Sequence, residues 1–257
     1  MNEKFSVVIV CKNEVDIIET VVKSATAVSD DVVVYDNGST DGTIEVLCNH
    51  HVQLHQGEWM GFGRTKQFSV NLAKYDWILS IDADEVLDND LQNNLRQIIF
   101  KEDTVYQIDF KNFFGVKCLK WGEWGGDRHV RLFNRQSVRW DEESVHEKLV
   151  IPRQFKVEKL KGNILHYTVK DTVEYTSKVV KYAMLNAEKY FAQGKKAPWV
   201  KRYINPRFSF IKNYILRLGF LDGWEGLVSA RMTAFYTFLK YARLHELWLR
   251  EKGRRSK

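Results

Sequence analysis

Apolar residues in the first third of the chain fall into short unbroken runs: Phe5–Cys11, Asp31–Tyr35 and Trp77–Ile81. Runs of this length and continuity predict strands buried on both faces, as in parallel sheets. Between them, Glu14–Val28 and Arg64–Lys74 read as helices, and Val52–His55 as a further strand. Asp36-Asn37-Gly38-Ser39-Thr40-Asp41-Gly42 is dense turn chemistry that caps a short helix reaching about Cys48. Gly57–Gly63 is a glycine-punctuated loop. Repeated strand–helix units of this kind predict a mainly parallel, doubly wound α/β sheet.

The pattern then changes. Asp88–Phe100 reads as a helix, Val105–Phe114 alternates like a strand, and His129–Asn134 is another short strand after the Gly122–Gly126 loop. Asp171–Gln193 predicts an amphipathic helix stopped by Gly194. Pro206 fits the first position of a new helix running to about Gly219, and a last helix spans roughly Gly223–Arg250. A catalytic domain over 1–195 with a helical extension over 196–257 is the expected division.

Composition sharpens this picture in two ways. The 3 cysteines, with no CxxC spacing, exclude a disulfide framework and a zinc site as expectations. The net charge of +6 is unevenly spread: the stretch from 195 onward is basic and aromatic-rich, the remainder acidic. A basic tail of this kind suits a polyanion or an anionic membrane surface. Phe208, Ile211, Tyr214, Ile215 and Leu218 recur at helical spacing in it, so the helix either lies in a membrane interface or packs on the core or a second subunit. No secretory signal and no apolar run near the ~20 residues of a membrane span is evident, so a cytoplasmic or peripheral protein is expected. No RNA-binding signature or helix-turn-helix appears, and nucleic acid is not expected as a partner.

The chemistry gathers behind the Trp77–Ile81 run, where Asp82, Ala83, Asp84 and Glu85 follow without a break. Open α/β sheets bind ligands at the carboxyl ends of their strands. Two carboxylates one residue apart there can share Mg²⁺ or Mn²⁺ with a diphosphate.

Four segments lie in order: VVIVCKNE (Val7–Glu14), YDNGSTDGT (Tyr35–Thr43), the helix after GFGRTKQ, and SIDADE (Ser80–Glu85). In this order and spacing the chain resembles the inverting glycosyltransferases of family 2, which have the GT-A fold. DRHVRLFNR (Asp127–Arg135), VHEKL (Val145–Leu149), ILHY (Ile164–Tyr167) and FIKNYILRLGFLDG are similar to its bacterial lipopolysaccharide-core β-glucosyltransferase branch, so the resemblance covers nearly the whole chain.

The resemblance implies transfer of a sugar, most plausibly glucose, from a UDP-sugar to a hydroxyl of a glycan or glycolipid acceptor. It places Asn13 and Glu14 beside the nucleoside and Asp36 on the uracil or ribose. Lys66 would hold the diphosphate or orient the acids. Asp84 would touch the metal and Asp82 the ribose, sugar or metal, with His166 a further metal or diphosphate ligand and Arg131 near the leaving diphosphate. Glu85 would support the loop. Inverting transfer needs a base for the acceptor hydroxyl. Glu147 is the first candidate, amid the like charge of Asp141, Glu142 and Glu143, and Asp127 is its rival. A sugar-nucleotide nucleotidyltransferase is the alternative, but its glycine-rich loop after the first strand is replaced here by CKNEVD. A non-catalytic nucleotide- or polyanion-binding protein is the other. Homo-oligomerisation is open.

Overall fold

The computed structural model describes residues 3–141 and 148–255. The apolar runs form β1 (Ser6–Cys11), β2 (Val32–Asp36) and β4 (Trp77–Asp82). Val7, Ile9, Val33, Val34, Ile78 and Leu79 are fully buried, as strands covered on both faces require. β3 (Gln53–Gln56) completes a parallel set in the order β3-β2-β1-β4. The strands of this set alternate with α1 (Ile18–Thr26), α2 (Thr43–Cys48) and α3 (Phe62–Asn71).

Beyond β4 the sheet changes hand. β5 (Glu85–Leu87), β6 (Thr104–Phe114), β8 (Arg128–Asn134) and β11 (Lys156–Val169) extend the order to β3-β2-β1-β4-β8-β6-β11-β5. β4 with β8, β8 with β6, and β11 with β5 are antiparallel pairs. The sheet is therefore mixed rather than mainly parallel. The βα repeat stops at β4, and the strands beyond it pair antiparallel with their neighbours. α4 (Asn89–Leu95) is capped by Asp88, whose carboxylate accepts the Leu91 amide at 2.9 Å. β9 (Arg139–Trp140) and β10 (Leu149–Val150) form a separate two-stranded ribbon.

The chain divides into two compact units. The first comprises residues up to Lys111 together with Asp127–His166 and holds the parallel set. The second comprises Asn112–Gly126 and everything from Tyr167. In it, β7 (Lys117–Leu119) pairs with the end of β6, and α5 (Thr172–Ala192), α6 (Trp199–Ile211) and α7 (Gly223–Arg255) follow. The boundary drawn from the sequence at 195 lies within this second unit, between α5 and α6. α5 begins on Asp171, whose carboxylate accepts the Val173 and Glu174 amides, and stops at Gly194 with φ +68°. Its core is Tyr175, Val179, Val228, Ala183, Ala187 and Leu244.

Two helix starts differ from expectation. α1 begins at Ile18, because Asn13 takes φ +57° and Glu14–Ile17 form a turn. Pro206 lies inside α6 rather than at its start, and Pro198 precedes the first helical residue instead. α6 runs into a wide π-type turn over Lys212–Leu216, then Leu218 at φ +57° and a 3₁₀ turn over Gly219–Asp222. The strands that the sequence pattern did not announce are β5, β7, β9, β10 and β11.

Candidate active site

β4 delivers its acids to a tight turn at the carboxyl edge of the parallel set. Glu85, only 1 % exposed, reaches back to accept the Asp82 amide at 3.0 Å, which closes that turn. Arg131, on β8, donates to both Glu85 Oε1 and Asp82 Oδ2, the latter at 3.2 Å. Its guanidinium lies 5.3 Å over the Phe110 ring. From α3, the buried Lys66 places Nζ 2.7 Å from Asp82 Oδ1 and 4.9 Å over the Trp140 ring. Lys66 sits in the second turn of its helix rather than the first. Two cations thus grip one carboxylate, one on each oxygen.

This arrangement sets the charges. Burial opposes ionisation of Asp82, but the Lys66 ammonium and then the Arg131 guanidinium outweigh it and hold the carboxyl well below the usual range. Burial pushes Glu85 up, partly offset by Arg131 and reinforced by the neighbouring Asp82 charge. Asp82 is therefore held in its ionised form, and Glu85 serves as the buttress of the turn. That support role is the one expected of Glu85 from the sequence.

Asp84 points to a different partner. The antiparallel register sets His166 on β11 opposite Glu85, and His166 Nε2 comes to 3.4 Å from Asp84 Oδ2. Burial opposes protonation of His166, yet Asp84 and then Glu85 and Asp82 raise its pKa overall. The imidazole packs edge-on to Phe110, with centroids 6.1 Å apart. Among the described residues no group of three or more His, Cys, Asp or Glu forms an all-protein metal cage. One carboxylate and one imidazole fit a hard cation that keeps waters and takes its remaining oxygens from a substrate phosphate. Both Asp82 oxygens already face cations, which leaves Asp84 and His166 as the groups that could hold such an ion.

At the neighbouring strand ends the turn residues knit together. Asp36, fully buried, accepts from the Gly38 and Ser39 amides at 2.8 and 2.9 Å, from the Ser39 hydroxyl, and from the Cys11 thiol at 3.5 Å. A base or ribose contact expected of Asp36 has to compete with its own turn. Asp41 forms a turn of its own, accepting the Thr43 amide and hydroxyl at 3.1 and 2.6 Å. Asn13 Oδ1 accepts the Thr40 amide at 2.8 Å, while its own amide donates to Ser39 Oγ at 2.8 Å. The Glu14 amide donates to Thr43 Oγ1 at 2.9 Å. Asn13, Glu14 and Asp36 therefore share one rigid corner where β1 and β2 end.

A cleft of about 450 Å³ opens beside Lys66 and Asp82, lined also by His129, Val130, Arg131, Trp140, Lys148, Leu149 and Ile151. His129, Trp140 and Lys148 were not singled out from the sequence. Strand alternation was the signal for His129, since it shares a face of β8 with Arg131. Trp140 is 6 % exposed, and its indole N–H has no partner among the described residues. Asp127 Oδ1 lies 2.9 Å from His129 Nε2, which ties the rival base candidate to the cleft wall. Glu147, the first candidate, lies outside the described residues. Arg135 is not part of this cluster: it donates to the Val70 and Ala73 carbonyls and to Asp76 at 2.7–3.1 Å, closing the end of α3.

Known proteins resemble this sequence along most of its length. An uncharacterised glycosyltransferase of Rickettsia prowazekii is 27 % identical, over 98 % of this chain and 90 % of that protein. The lipopolysaccharide core biosynthesis glycosyltransferase LpsC of Rhizobium meliloti is 26 % identical, over 94 % and 92 %. Among solved structures, Staphylococcus aureus TarS has a TM-score of 0.47 at 14 % identity, and this chain spans 55 % of its length. A shorter form of TarS in complex with UDP has a TM-score of 0.46 at 15 % identity, over 97 % of this chain and 92 % of that one. The family profile for glycosyl transferase family 2 matches residues 6–147, from the first strand through the acid pair to the cleft. That stretch is more than half of the sequence, and the chain belongs to glycosyltransferase family 2.

Proposed function

We propose that this glycosyltransferase moves a sugar, glucose first among candidates, from a UDP-sugar to a hydroxyl of a glycan or lipid-linked saccharide, with inversion at the anomeric carbon. The observation that carries the reading is the Asp82–Asp84 turn at the end of β4, with Lys66 and Arg131 clamped on one acid and His166 beside the other. Negative charge is fixed there, and the two cations that hold it line the cleft where a diphosphate would lie. Asn13, Glu14 and Asp36 border the nucleoside end. Asp84, with His166 and Asp82, is the ligand set we assign to Mg²⁺ or Mn²⁺. When bound, such an ion neutralises charge on the departing diphosphate.

The residues of the chain then divide the work. Lys66 holds Asp82 in one rotamer and presents its ammonium at the cleft. Arg131 fixes the turn from the other side and lines the same wall. The acceptor hydroxyl loses its proton to a carboxylate as its oxygen attacks, and Glu147 is the base we assign. Asp127, paired with His129, is the second choice. The LpsC relative, by its name a lipopolysaccharide-core enzyme, supports an envelope saccharide as acceptor.

Incubation with UDP-sugars, Mn²⁺ and saccharide acceptors, scored for UDP release, tests the reading. Glu147→Gln is expected to lower transfer by about 10²–10⁴-fold while UDP binding stays unchanged. A near-normal rate in that variant moves the base to Asp127, whose Asn variant is then the inactive one. Pyrophosphate-dependent exchange without UDP release would point instead to a nucleotidyltransferase.

A further inference from the structure

α6 inverts the usual order of a surface helix. None of its side chains is buried, and Val200, Ile204, Phe208 and Ile211 lie at spacings of four, four and three residues. Ile215 continues the stripe four residues on, and these five are between 41 and 56 % exposed. By helical geometry the four within α6 occupy an arc of about 80°. Arg207 falls on one side of it and Lys201 and Lys212 on the other. Trp199 at the start of α6 and Trp224 at the start of α7 are more exposed still, at 59 and 70 %. Every charged residue from 195 to 221 is Lys or Arg. The first acid after them, Asp222, is buried and accepts the Lys120 and Trp121 amides at 2.8–3.1 Å, so it presents no negative charge outward.

We propose that this face of the second unit docks on the headgroup layer of an anionic bilayer. Three features select that occupant. An apolar stripe edged by cations is the form of a helix lying in an interface, with its apolar arc toward acyl chains and its cations toward headgroups. Tryptophans at the ends of such a stripe suit the boundary between water and lipid. No described helix is long and apolar enough to cross a membrane, so attachment through this face would be peripheral. A second copy meeting the same face through a two-fold axis would bring cations against cations. Nucleic acid would leave the apolar stripe uncovered. The inference goes beyond the transfer reaction and does not depend on it.

Sedimentation of the full chain with extruded vesicles tests it, using phosphatidylcholine alone and phosphatidylcholine mixed with phosphatidylglycerol, without glycolipid or nucleotide. The protein is expected to pellet with the anionic vesicles and to remain in solution with the neutral ones. Phe208→Asp combined with Ile211→Asp should weaken the association at least about tenfold. Lys201→Gln and Lys212→Gln should weaken it roughly fivefold per cation removed. All four positions are exposed, and unchanged UDP binding would verify that the variants are folded. Failure of the wild-type chain to pellet with anionic vesicles, or pelleting unaffected by both pairs of substitutions, overturns the proposal. A dimer in light scattering that the Phe208/Ile211 pair abolishes would give the face to a second copy. Because donor and acceptor are absent, either negative result leaves the glycosyl-transfer reading standing.

Discussion

Arg131 is the residue on which the acid turn most depends. Its guanidinium joins Glu85, which is almost wholly enclosed, to Asp82, which faces the cleft. Removing one member of such a group leaves a buried charge without compensation, a loss of about 3–5 kcal/mol. Arg131→Met is therefore expected to lower the unfolding free energy by that amount in urea titrations, and adding Glu85→Gln should return much of it. Equal losses in the single and double variants would mean that Glu85 is not the charge Arg131 compensates. The family resemblance put Arg131 near a diphosphate and Glu85 in support of the loop; Arg131 lines the cleft, and Glu85 lies buried against the Asp82 turn. The resemblance did not reveal that one links the other to Asp82, because the pairing needs β8 antiparallel beside β4. Asp36 shows the opposite limit. Its place at the end of β2 and the turn after it were legible, but not that donors of that turn and Cys11 of β1 converge on its carboxylate.

At the scale of elements, legibility followed burial. β1, β2 and β4 are read correctly to within about a residue because both faces are covered, so nearly every position is apolar. β11 is the contrary case: its fourteen residues include Lys156, Glu158, Lys159 and Lys161, and its exposed side masks the strand signal. Yet β11 carries His166 to the acid turn. It also contains Gly162 at φ +104°, where a Cβ would collide with the Leu91 backbone at the start of α4. Gly162→Ala combines that clash with a conformation alanine rarely adopts. It is expected to cost about 2–4 kcal/mol of stability, read as a lowered melting temperature. A melting temperature within a degree of wild type would show that α4 moves aside freely. Pro206 departs from its expected place for a related reason: a proline suits a first turn, but α6 accommodates it in mid-course and gives way to a wide turn at Lys212–Leu216.

For the molecule as a whole, the first unit holds the acid turn and the cleft, while the second presents a basic, apolar-striped helix. The charge asymmetry that marked the last quarter of the sequence maps onto the second unit, and the family motifs at the ends of β1, β2 and β4 onto the first. On the function proposed above, the first unit binds a nucleoside diphosphate through a divalent cation on Asp84. Calorimetric titration of UDP into the wild type and Asp84→Ala, each with Mn²⁺ and then with EDTA, tests this most directly. The wild type is expected to bind UDP more tightly with Mn²⁺. Asp84→Ala is expected to weaken binding by about 10–100-fold and to abolish the difference between the two conditions. An unchanged Kd in Asp84→Ala, with the Mn²⁺ dependence intact, would contradict it.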